Sequence, residues 1–162
     1  MVKNRSKAGF TLIEVMITIA ILGTISAISA PLFLQAQRFF ILTKARTDLQ
    51  QEARGIMYVI TRELHQAQSN SIRISRASNL QPYYSKITFT KQQGTTMTFL
   101  QSGNLLQQQS QTISKNLRYI AFSFPRSDDM TIVSVSMTLQ VNIYEGKIKA
   151  LHMASEKVRV MN

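Results

Sequence analysis

Three hydrophobic patterns follow one another along this chain, and each predicts a different kind of element. The first is an unbroken apolar run, residues 10–30, from Phe10 to Ala30, with Glu14 as its single charge. A run of that length suits a helix crossing a hydrocarbon core about 30 Å thick. An ordinary secretory signal has its cleavage site after the apolar run, at small residues, and nothing beyond Ala30 reads that way. The second pattern places Leu42, Ala45, Leu49, Ala53, Ile56, Ile60, Leu64 and Ala67 three or four apart, which is one face of an α-helix. It predicts that the helix continues beyond the apolar run to Gln68, with Gly55 as its weak point. Turn formers then gather over residues 69–82, among them Asn70, Asn79 and Pro82.

After Pro82 the period changes from 3.6 to 2. Ile87 and Phe89, then Met97 and Phe99 on the far side of Gly94, predict a hairpin. Ser102 and Gly103 turn the chain into residues 105–109, and Ile120, Phe122 and Phe124 share one face of residues 117–124. The clearest strand is 131–143, in which Val133, Val135, Met137, Leu139, Val141 and Ile143 alternate with polar residues. Such alternation describes a sheet packed on one side only, and the simplest partner for its apolar side is the 42–67 face of the helix. Glu145 and Gly146 turn the chain into 147–153, and 157–161 offer a closing strand.

The predicted class is α+β, a long N-terminal helix whose first half is transmembrane and whose second half packs on an antiparallel β-sheet. The boundaries read as a leader at 1–9, the transmembrane helix at 10–34 and a further domain at 35–162. Within that domain the amphipathic helix takes 35–68, a loop 69–84 and the sheet 85–162.

Two features inside the apolar run need a physical reason. A carboxylate at mid-bilayer costs about 2.5 to 3.5 kcal/mol on insertion scales, so Glu14 calls for a partner. Pro31 has no N–H to give the carbonyl of Ala27, and Gly23 is a weak helix former. Ser26 and Ser29 lie between them, with hydroxyls suited to freed backbone groups. Residues 23–31 are therefore where this helix is expected to bend or unwind.

Composition narrows the picture. At 162 residues the chain has room for one small domain beyond the apolar run. Its 19 lysines and arginines against 8 acidic residues give a net charge of +11. A basic balance suits nucleic acid, anionic lipid or plain solubility. The chain has no cysteine, so the fold rests on packing rather than on disulfides. Lys3, Arg5 and Lys7 precede the apolar run while Arg38, Lys44 and Arg46 follow it, so charge counting alone leaves the orientation almost tied.

No catalytic constellation emerges, and no cofactor is expected. His65 and His152 are the only histidines, too few for a zinc site without borrowed carboxylates. His65 reads as a surface or packing residue of the amphipathic helix. Asp128 and Asp129 are adjacent but lack the spacing of a calcium loop, and read as a solvated turn. There is no glycine-rich phosphate loop and no nucleophile elbow. The cations Arg73, Arg76, Lys86, Lys91, Lys115, Arg118, Arg126, Lys147, Lys149, Lys157 and Arg159 are scattered through the predicted loop and sheet.

The junction Gly9, Phe10, Thr11, Leu12, Ile13, Glu14, entered from a short basic leader and followed by apolar sequence, closely resembles the N-terminus of type IV pilins and of the pseudopilins of type II secretion. The resemblance covers about residues 3–31. It implies a pilin fold, and cleavage between Gly9 and Phe10 by a prepilin peptidase on the cytoplasmic side, with methylation of the new Phe10 amine. It implies that the apolar helix serves first as an inner-membrane anchor, N-terminus in the cytoplasm and the domain exported, and then as a filament core. Glu14 is implied to pair with the N-terminal amine of a neighbouring subunit during assembly, and Gly23 and Pro31 stand where the family carries a glycine and a proline.

The implied partners are the peptidase, other pilins or pseudopilins, an inner-membrane assembly platform and the lipid bilayer. The segment from Arg62 to Ala67 looks like the helix end of J-type minor pseudopilins. The tail from Val158 to Asn162 is similar to their last strand, with Met161 where an arginine is usual. Many major pilins close a C-terminal loop with a disulfide, so its absence favours a minor pilin or pseudopilin. DNA, held through phosphates as in competence pilins, is the alternative partner and is not favoured.

Overall fold

The computed structural model describes residues 9–143 and 148–160. The leader cations Lys3, Arg5 and Lys7, the turn at Glu145 and Gly146, Lys147, and Met161 and Asn162 of the tail lie outside the described residues. Helix α1 runs Leu12–His65. The chain divides into two units, Met1–Ile41 and Leu42–Asn162.

In the first unit the described residues beyond Thr11 are helical throughout, Pro31 included. No described residue in it is buried. The apolar residues that would make a core elsewhere stand open along its whole length, as with Phe10 at 88% exposure and Phe33 at 64%.

In the second unit the predicted helical face is the buried one. Leu49, Ala53, Ile56, Ile60 and Leu64 are buried, joined by Met57, and Leu42 and Ala45 are partly buried. The α-helix stops at His65 rather than Gln68 because its last amides tighten and then leave. Gln66 and Ala67 donate to Glu63 and Leu64, three residues back, and the Gln68 N–H turns to the Thr90 carbonyl. A short 3₁₀ turn, Ser69–Ser71, follows.

Among the described residues eight strands come next: β1 Arg73–Ser75, β2 Lys86–Thr90, β3 Thr96–Ser102, β4 Leu105–Gln108, β5 Gln111–Ser114, β6 Leu117–Ser123, β7 Ile132–Ile143 and β8 Ile148–Arg159. All pairs are antiparallel. The single sheet expected over 85–162 is in fact two, β1-β2-β3-β4-β5 and β6-β7-β8. Residues 69–84, expected as loop, contain the 3₁₀ turn and β1, which pairs with β2. The two tail segments are one strand, because twelve consecutive residues of β8 pair with β7 without a break.

The alternation in β7 is as expected, with Val133, Val135, Met137 and Leu139 fully enclosed. They join Ile87, Phe89, Phe99, Leu106, Ile120 and Phe122 with the helix face in one core. Phe124, expected in that layer, is only partly buried, since β6 ends at Ser123.

Side chains stitch the two sheets together. Gln101 on β3 is buried; its Nε2 donates to the carbonyls of Gly103 at 2.9 Å and Arg118 at 3.1 Å, and its Oε1 accepts from the Ile120 N–H at 3.1 Å. Replacing Gln101 by leucine keeps the volume but leaves the Ile120 N–H buried and unpaired, a cost of about 2 kcal/mol. Urea unfolding of the Gln101→Leu chain in detergent is expected to show a midpoint lower by about 1 M. An unchanged midpoint would show that the amide is dispensable.

Candidate functional site

The start of α1 is built by its own sequence. Thr11 precedes the first helical residue, Leu12, and Glu14 stands three residues further on. The Glu14 Oε2 accepts from the Thr11 backbone N–H at 2.9 Å and from its hydroxyl at 3.0 Å, while the Glu14 N–H donates to Thr11 Oγ1 at 3.4 Å. This is a capping box, two orphan donors of the helix start satisfied reciprocally. Sequence reasoning passed over Thr11, although the signal, threonine followed three residues later by glutamate, was present. No other hydrogen bond or ion pair engages the second carboxylate oxygen, Oε1, among the described residues. Gly9 and Phe10 are exposed at the same end.

Along the apolar helix the hydroxyls bond to their own backbone. Thr18 donates to the Val15 carbonyl at 2.8 Å, Thr24 to Ile21 at 2.8 Å and Ser29 to Ile25 at 2.7 Å. Each of these side chains is thereby satisfied within the helix, which a bilayer core requires. Ser29 therefore serves the Ile25 carbonyl and not the Ala27 carbonyl that Pro31 leaves without its helical donor. Gly23 is open, with nothing near the position of an added Cβ. By length and composition the helix is able to cross a membrane, with a mean hydropathy of 2.1 in its apolar window, none of which is buried. An apolar surface of that extent marks a lipid or protein contact.

The other end of the helix is fixed by charge. Glu63 is buried and ion-paired with Lys91, the residue after β2, and its Oε1 lies 3.0 Å from Arg62 Nη2. Burial pushes the Glu63 carboxyl up, but the hydrogen bonds and charge of Lys91 and Arg62 outweigh it and hold it below the usual glutamate range. Further up the helix, Glu52 accepts from Ser114 Oγ at 2.7 Å and Asn116 Nδ2 at 2.8 Å. These contacts hold the sheets on the helix and belong to structure rather than chemistry.

The remaining candidates are also in structural use. His65 Nδ1 lies 2.8 Å from the Arg159 carbonyl, tying the helix end to β8. Asp128 pairs with Arg126 at 3.1 Å. Asp129 accepts from the Thr131 hydroxyl and N–H, and those bonds hold its carboxyl below the usual range. The two aspartates thus brace one turn, and the described residues bring together no group of three metal-ligating side chains.

The family model described as the prokaryotic N-terminal methylation motif matches residues 4–30. Over 61 residues the chain is 38% identical to a pilin-like protein of Thermus thermophilus, named PilA3. That stretch is 38% of this chain and 26% of the relative, so the chain matches about a quarter of the relative's length. No solved structure matches the chain. The chain thus carries a prokaryotic N-terminal methylation motif on an exposed apolar helix that is followed in sequence by antiparallel sheets, and is similar over its matched stretch to a pilin-like protein.

Proposed function

We propose that this chain is a non-enzymatic filament subunit, cut between Gly9 and Phe10 by a prepilin peptidase, methylated on the Phe10 amine and polymerised through its apolar helix. The observation that carries the reading is the unit of residues 9–41. It has no buried residue and a nearly continuous apolar surface, so it needs lipid before assembly and neighbouring helices after it. The subunit waits in the inner membrane with its N-terminus in the cytoplasm and residues 35–162 exported. An assembly platform in that membrane then passes it to a filament of pilins or pseudopilins.

The free Oε1 of Glu14 is the acceptor for a neighbouring subunit's amine, while Oε2 keeps the helix start capped. Gly23 and Pro31 give the helix the freedom to unwind locally on leaving the bilayer. A minor pilin or J-type pseudopilin fits better than a major pilin, because the chain has no cysteine to close a C-terminal loop.

Mass spectrometry of sheared filaments against the membrane fraction tests this. The expected N-terminal peptide starts at a methylated Phe10, is plentiful in the membrane and is a trace component in filaments. A chain still beginning at Met1 would overturn the reading, and abundance in filaments would make it a major pilin.

A further inference from the structure

The outer edge of β8 is open, and its chemistry selects what can add to it. The Val160 N–H donates to the Thr131 carbonyl on the β7 side, whereas the Arg159 carbonyl points the other way, to His65. Backbone groups alternate sides along an antiparallel strand, so Lys149, Leu151, Met153, Ser155 and Lys157 turn their N–H and C=O groups away from β7. Nothing pairs with those groups among the described residues. All five side chains are exposed, Leu151 at 48% and Met153 at 75%. The helix end meets this edge at Arg159, through His65. A groove of about 410 Å³ lies between residues 152–156 and the helix residues Ala53, Arg54 and Met57.

We propose that this edge receives an extended segment of another protein, added as an antiparallel strand. That segment carries carboxylates opposite Lys149 and Lys157 and apolar side chains opposite Leu151 and Met153. Strand addition takes its affinity from main-chain bonds and its specificity from alternate side chains. Here the alternate positions read cation, apolar, apolar, hydroxyl, cation, while the groove itself carries both Arg54 and Glu156, so the selecting charge is that of Lys149 and Lys157.

A second copy does not fit. The antiparallel register that uses the whole edge is centred on Met153 and sets Lys149 against Lys157 twice, and like charges directly opposite are destabilising. Lysine on an edge strand guards against self-pairing, so the same two side chains repel a copy and attract an acidic strand. This inference rests on the C-terminal sheet and is independent of the membrane segment.

The test uses the full chain in detergent micelles, with residue-resolved amide exchange as readout. The probe is a nine-residue peptide with glutamate at both ends and alternating valine and threonine between. Its control has lysine at both ends. The glutamate peptide is expected to slow exchange at Leu151, Met153 and Ser155 by about tenfold, the effect of one hydrogen bond of ordinary strength. The lysine peptide should leave exchange unchanged, and the exposed double substitution Lys149→Glu, Lys157→Glu should reverse the preference. No slowing by the glutamate peptide would overturn the proposal, as would equal slowing by both peptides. Slowing that appears on concentrating the chain alone would assign the edge to a second copy and overturn it too.

Discussion

The Glu14→Gln chain is expected to insert normally and be cleaved at Gly9, yet to enter filaments at least tenfold less than the native chain. The capping geometry is what makes glutamine informative. Glutamine at this position of a capping box still accepts from the N–H and hydroxyl of Thr11, so the helix start survives while the charge is lost. A bond to a charged acceptor contributes about 1.5 to 3 kcal/mol, and tenfold is the lower part of that range. Glu14→Ala removes both roles, adding a capping loss of about 1 kcal/mol. If assembly needs the carboxylate for a neighbour's amine, both variants fail together. If it needs only a well-formed helix start, glutamine assembles and alanine does not, and the proposed pairing is wrong. Quantitative immunodetection of sheared filaments, normalised to cleaved protein in the membrane, separates the cases.

The second large effect lies at the other end of the helix. Glu63→Ala is expected to lower the unfolding free energy by about 3 kcal/mol, because Lys91, whose side chain is 16% exposed, is left partly buried without its counter-charge. Replacing both partners, as Glu63→Leu with Lys91→Met, should restore most of that loss. The pair also has a pH signature. The Glu63 carboxyl is held below its usual range, so its contribution is fully present above that range and disappears as pH falls through the lowered value. Urea unfolding between about pH 7 and 3 should therefore show a loss below about pH 4.5 in the native chain that the double variant lacks. Equal stability of Glu63→Ala and the native chain at pH 7 would refute the assignment.

Much of this fold was legible because two periods are written strongly. Leu49, Ala53, Ile56, Ile60 and Leu64 can share a face only on a helix, and Val133 to Leu139 only on a strand. What escaped has physical reasons. β5 is Gln111, Thr112, Ile113 and Ser114, and β1 is Arg73, Ile74 and Ser75. Each carries one apolar residue, too few to show alternation, and each is held by the backbone of its neighbour.

The division into two sheets is invisible to an apolar pattern, because both sheets turn the same kind of face to the core. Ala154, Ser155 and Glu156 read as a gap in the tail although β7 pairs with each of them. Glu63 and Lys91 meet only because the chain leaving the helix binds Thr90, which no local signal announces. At the N-terminus the apolar run and the Gly9–Phe10 junction were plain, whereas the cap formed by Thr11 was readable and passed over.

The β7 and β8 strands also set the order in which this chain becomes stable. The helix face at Leu49 to Leu64 is among the first parts synthesised, yet Ala150, Val158 and Val160 of its core come from the chain's far end. Roughly a hundred residues separate Leu64 from Val160, and at ordinary synthesis rates they take about 5 to 20 s to appear. Contacts so distant in sequence form late and slowly. Throughout that interval the apolar helical stripe lacks part of its core, and it is directly continuous in sequence with the run that carries the methylation motif. Completion of the core thus waits for β8, and a chain cut short before it keeps apolar surface open to chaperones and proteases.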